Sequence, residues 1–151
     1  MNSKVFISVF SSSILIIMGL FFLLNKSYEK SIKAKYYYEI GDYKKSYQLS
    51  KEAFGEDIYN RMASTIMAQS KTSLKYVAFI DEAQSYMKEI NKIATNDIIS
   101  DADKAKIRLM CEIITKSYVK LAPSVITNDD LTKQSAKYNT MFEKLLEKVN
   151  R

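Results

Sequence analysis

The sequence predicts an all-α chain: an N-terminal transmembrane helix followed by antiparallel helical hairpins, about six helices in all. Three observations carry this. Glycine occurs three times and proline once in 151 residues, so turn formers are scarce while helix formers are plentiful. Val5 to Leu24 reads VFISVFSSSILIIMGLFFLL with no charge, about 20 residues that would span about 30 Å of hydrocarbon. Beyond it, apolar residues recur at spacings of three and four, the period of one helical face.

Two domains follow, an anchor over residues 1–25 and a helical domain over 26–151. Serines 11 to 13 are tolerable in a span because their hydroxyls bond to carbonyls of the preceding turn. A cleaved signal peptide is the competing reading, but Leu24-Asn25-Lys26 lacks the small residues of a cleavage site. Lys26, Lys30, Lys33 and Lys35 after the span outnumber Lys4 before it, which a strict charge rule reads as a cytoplasmic domain. The very short N-terminal tail resembles a bacterial signal-anchor. The orientation adopted is therefore single-pass in the inner membrane with a periplasmic domain.

Tyr28, Ile32, Tyr36 and Ile40 lie on one face of the next helix, and Gly41-Asp42 turns the chain. Tyr43, Tyr47, Ser50 and Phe54 line a second helix, closed by Gly55. Ile58, Met62, Ile66 and Met67 mark a third, and a break near Ser70 to Ser73 separates it from a fourth carrying Tyr76, Phe79, Ile80, Ala83, Met87 and Ile90. Ser100 to Asp103 has the order of a capping box and opens a helix with Ile107, Cys111, Ile114 and Tyr118 on one face, stopped by Pro123. Thr127 to Asp130 is a second such box. It precedes a heptad-like seam of Leu131, Ser135, Tyr138, Phe142, Leu145 and Val149.

Composition removes most familiar chemistry. There is no histidine and only one cysteine, so common zinc sites, Ser-His and Cys-His pairs and internal disulfides are excluded. The expectation is a protein that is not an enzyme, with no catalytic residue, cofactor or metal. Acids at 101, 103, 129 and 130 read as helix-start residues, and Cys111 as a packed thiol. Formal charge is +6, from 23 basic and 17 acidic residues. Because the lysines are interspersed with acids along the chain, no nucleic-acid partner is expected.

The run Ala34 to Phe54, AKYYYEIGDYKKSYQLSKEAF, resembles the middle of a tetratricopeptide repeat: a small residue, aromatics, a Gly-Asp-Tyr turn, then small residues again. The resemblance implies close helix contacts at Ala34, Ser46 and Ala53, a turn at Gly41 and Tyr37 in the hairpin interior. Lys30 and Lys33 occupy positions where the family has large core residues, and the weaker second unit around Asp81 to Ile90 is offset by about 37 residues instead of 34. It further implies a membrane-anchored scaffold or adaptor of a cell-envelope assembly, a flagellar-motor accessory role first. The alternative is a ligand-sensing extracytoplasmic bundle. Tyr36, Tyr37 and Tyr38 cannot all face inward, since neighbours on a helix are about 100° apart. Tyr38, with Tyr37, is the expected partner-binding anchor, and Tyr36 the inward residue.

Overall fold

The computed structural model describes residues 3–122 and 127–150, with side chains over 5–20, 25–122 and 127–150. Six helices are present among them: α1 (Ser3–Leu24), α2 (Lys26–Glu39), α3 (Tyr43–Glu56), α4 (Arg61–Ala94), α5 (Asp101–Val119) and α6 (Asp129–Val149). The all-α reading holds. Pro123 and its expected stop lie outside the described residues.

The transmembrane anchor does not hold. Among the described residues no helix is long and apolar enough to cross a membrane. The placement as a single-pass inner-membrane protein with a periplasmic domain falls with it.

The chain divides into two compact units, Met1–Lys71 and Thr72–Arg151, and the boundary falls inside α4. The break expected near Ser70 to Ser73 is absent: α4 is one helix of 34 residues. Serine is a weaker helix former than alanine but does not interrupt the ladder as proline does. Both Ser70 and Ser73 are buried.

In the first unit α2 and α3 form a hairpin. Gly41 takes φ +83° there, a left-handed conformation that costs glycine nothing, and Asp42 caps α3 by accepting from the Lys45 amide at 3.0 Å. Gly55 does not close α3, which continues to Glu56 and is capped at Asp57. The crossings are lined by small residues. Ser27, Ser31 and Ala34 of α2, Ser46, Ser50 and Ala53 of α3, and Ala63 and Ser70 of α4 are all buried. That face of α2 is opposite the one read from hydrophobicity: Ile32, Tyr36 and Ile40 are 53%, 60% and 57% exposed. Small side chains won the interior because they let the backbones approach closely enough to hydrogen-bond. Ser46 Oγ donates to the Ala34 carbonyl at 2.8 Å, and Ser27 Oγ to that of Ala53 at 2.8 Å.

Asn60 completes this interior and is fully buried. Its Oδ1 accepts from the Ala63 amide at 3.1 Å, capping α4, while its Nδ2 donates to Ser27 Oγ at 2.8 Å and Ser31 Oγ at 2.9 Å. Outside, Lys30 reaches Glu52 and Glu56 on α3 at 2.9 and 2.8 Å. Those carboxylates, Glu56 first, hold its ammonium pKa above the ordinary lysine value.

The second unit is built on bulk. Phe79, Ile80, Ile90, Ile107, Ile114 and Phe142 form the centre of a core shared by α4, α5 and α6. Ser100 opens α5 with a complete capping box, its hydroxyl accepting from the Asp103 amide at 3.1 Å. The Ser100 hydroxyl and backbone amide in turn donate to the Asp103 carboxylate, at 2.7 and 3.1 Å, and hold it below its usual pKa. Asn128 caps α6 in place of Thr127, accepting from the amides of Asp130 and Leu131.

Candidate functional site

A surface groove of about 410 Å³ lies in the first unit between α2 and the start of α4. Tyr38, Met62 and Ile66 supply its apolar part, and Lys35, Glu39 and Arg61 its charges. The local sequence explains this flank. Ser31 and Ala34 bring the backbone of α2 inward, leaving Lys35, Tyr38 and Glu39 along its border, while Asn60 fixes the first turn of α4 and so the positions of Arg61 and Met62. None of Lys35, Glu39 and Arg61 has an ion-pair partner among the described residues. Charges left free beside an apolar hollow are available to a partner.

The tyrosine run splits three ways. Tyr36 is exposed, contrary to the inward position expected of it, and meets Tyr37 edge to face at 5.5 Å between ring centroids. Tyr37 is half-buried beneath the Lys45 ammonium, 4.1 Å from the ring centroid. The Tyr37 side chain beside it raises the Lys45 pKa. Tyr38 is half-buried, packs edge to face on Tyr43 at 5.3 Å and borders the groove. The structure thus brings Tyr38 to the groove and keeps Tyr37 on the hairpin's own surface.

Ala34, Ser46 and Ala53 are each fully buried, and Gly41 sits at the turn. These four residues shape the hairpin and do not line the groove. No protein family, curated protein or solved structure matches the chain.

Among the described residues no three His, Cys, Asp or Glu side chains lie close enough to hold a metal. Cys111 is fully buried in the second unit, where burial pushes its thiol pKa up and away from the reactive thiolate.

Arg61, Met62 and Gln69 are groove residues that sequence reasoning missed. The available signal was Asn60, a strong N-cap residue directly before a helical run, which places Arg61 and Met62 in an exposed first turn. A further feature lies on α6, where the sequence reads only a solvated face around Glu143, Lys144 and Lys148. Lys133, Lys137, Lys144 and Lys148 are spaced four, seven and four apart, within about 60° of one helical face.

Proposed function

We propose that the chain is a protein-interaction scaffold that receives a segment of a partner protein in the groove between α2 and α4. The observation that carries this reading is the joining of an apolar hollow, Tyr38, Met62 and Ile66, with three charges that have no ion-pair partner among the described residues, Lys35, Glu39 and Arg61. Interfaces of this kind gain affinity from buried aromatic and aliphatic anchors and specificity from the charges at their rim. A ligand-sensing bundle would call for an enclosing cavity, and this groove lies at the surface.

The test places a photo-crosslinking phenylalanine analogue at Gln69, inside the groove, and at Lys51, exposed on α3. One stoichiometric protein is expected to crosslink from position 69 but not from 51, and Met62→Asp should abolish the product while leaving helix content unchanged. Equal products from both positions, or none from 69, would reject the scaffold reading.

A further inference from the structure

The lysine stripe on α6 is a second surface without an internal counterpart. Lys133, Lys137, Lys144 and Lys148 are all exposed, and none has an ion-pair partner among the described residues. Lys30, Lys33, Lys104, Lys106 and Lys116 each pair with an acid; what sets the four on α6 apart is that they share one face of one helix. At 100° per residue the four free lysines fall within about 60° of arc and extend along about 22 Å of helix. Asp130 shares the arc at the start of α6, but from Lys133 to Lys148 the arc carries no acid, so the repulsion among the lysines is left uncompensated along that length.

Beside it runs an apolar hollow. Met87 of α4 with Met141 and Leu145 of α6 line a groove of about 230 Å³, closed on one side by Lys144 and Lys148. On the helical wheel Met141 follows Lys148 by about 20° and Leu145 by about 60°, so basic and apolar strips lie next to each other. Methionine is flexible and polarizable, and it reshapes readily around an incoming side chain.

We propose that this face of α6 binds an acidic, amphipathic segment of a partner protein, whose carboxylates meet the lysines while its apolar side chains enter the Met87, Met141 and Leu145 hollow. Charge complementarity selects an anion, and the hollow selects which kind. A nucleic-acid backbone would use the lysines but has no apolar group to place there, and the stripe offers no aromatic ring for a base to stack on. A lipid surface is met by several apolar side chains that protrude together, whereas here only Met141 is exposed, and Met87 and Leu145 are half-buried in a recess. The site uses no residue of the α2–α4 groove, so either can fail without the other.

The test displays random peptides of about 15 residues, the length of the stripe, on phage. They are selected against the full chain and counter-selected against Lys144→Glu/Lys148→Glu. Enriched clones are expected to interleave Asp or Glu with Leu, Ile, Phe or Met. As synthetic peptides in fluorescence anisotropy they should lose about tenfold or more in affinity for the charge-reversed variant. Met141→Asp should weaken them as well. If charge reversal lowers helix content, Lys144→Gln/Lys148→Gln replaces it with the same expected direction. Absence of enrichment, clones without acids, or affinities unchanged by these substitutions would overturn the proposal. So would tighter binding of duplex DNA or of vesicles containing anionic phospholipid through the same lysines.

Discussion

In the first unit the helix crossings are lined by Ser27, Ser31, Ser46, Ser50, Asn60 and Ser70, whereas in the second the interior belongs to Phe79, Ile80, Ile107, Ile114 and Phe142. The bonding follows the same division. Every one of those first-unit polar side chains has a hydrogen-bond partner, including the 2.8 Å pair between the Ser46 and Ser70 hydroxyls. In the second unit the buried hydroxyls of Ser73, Tyr76 and Ser135 have none among the described residues. A net hydrogen bond contributes about 1 kcal/mol and an orphaned buried polar group costs about 1 to 3, while a buried large apolar side chain contributes about 1.5 to 3. The first unit therefore depends on geometry that satisfies each polar atom. The second tolerates unsatisfied hydroxyls because apolar burial outweighs them.

The largest expected effect lies in the second unit. Phe142 is fully buried at the centre of its core, so Phe142→Ala should destabilise by about 3 to 5 kcal/mol through lost burial and the cavity left behind. Denaturant unfolding gives the magnitude. Amide hydrogen exchange should place the loss of protection in α5 and α6. A cost under about 1 kcal/mol would mean that bulk is not what holds this unit.

The same contrast decides what the sequence revealed. Helix class, the Gly41 turn and the Ser100 cap were legible because each is set within a few residues of chain, by left-handed φ or a side chain reaching its own next turn. In the second unit, Ile107, Cys111, Ile114 and Phe142 were read as interior and are buried, since there burial follows hydrophobicity. The first unit misled for the opposite reason. A hydrophobic count favours Ile32, Tyr36 and Ile40 over Ser27 and Ser31. Ala34, Ser46 and Ala53, buried at the crossings, are reached only through the repeat resemblance. No local signal shows that hydroxyls will bond across a crossing. Ser70 and Ser73 were read as a break for the same reason. Of the groove, only Tyr38 was singled out, and by an argument that gave Tyr36 the inward position. From the sequence the α6 lysines pass for an ordinary solvated face beside Glu143, because charge is weighed there along the chain instead of around the helix.

A smaller effect is expected at the hub of the first unit. Asn60→Ala removes a helix cap, costing about 1 kcal/mol, and a buried amide that donates to two serines, costing about 1 to 3 more. The hydroxyl hydrogens of Ser27 and Ser31 are already committed, to the carbonyls of Ala53 and Ser27, so neither can turn to repair the loss. Asn60→Asp sharpens the test. It keeps an oxygen for the Ala63 amide but replaces the donor with a second acceptor and buries a charge among acceptors. Asp should therefore cost at least as much as Ala in chemical denaturation. If Asp restores wild-type stability, the cap alone matters and the serine network contributes nothing.

The smallest effect should carry the opposite sign. Ser135 is fully buried on α6, and its hydroxyl has no partner among the described residues. Ser135→Ala removes one oxygen, so the void it leaves is small. It also removes an unsatisfied polar group and replaces serine with the strongest helix former, worth about 0.5 kcal/mol in a helix interior. The sum predicts a gain of about 0.5 to 1 kcal/mol, read as a higher midpoint in urea with an unchanged slope. The matching change in the first unit, Ser46→Ala, deletes bonds to the Ala34 carbonyl and the Ser70 hydroxyl and should lower the midpoint. Each substitution removes the same atom from an equally buried helical site, so burial and propensity cancel between them and the difference reports the hydrogen bonds alone. If the two variants move the midpoint in the same direction, the division between a bonded interior and a bulk interior fails at the residues that define it.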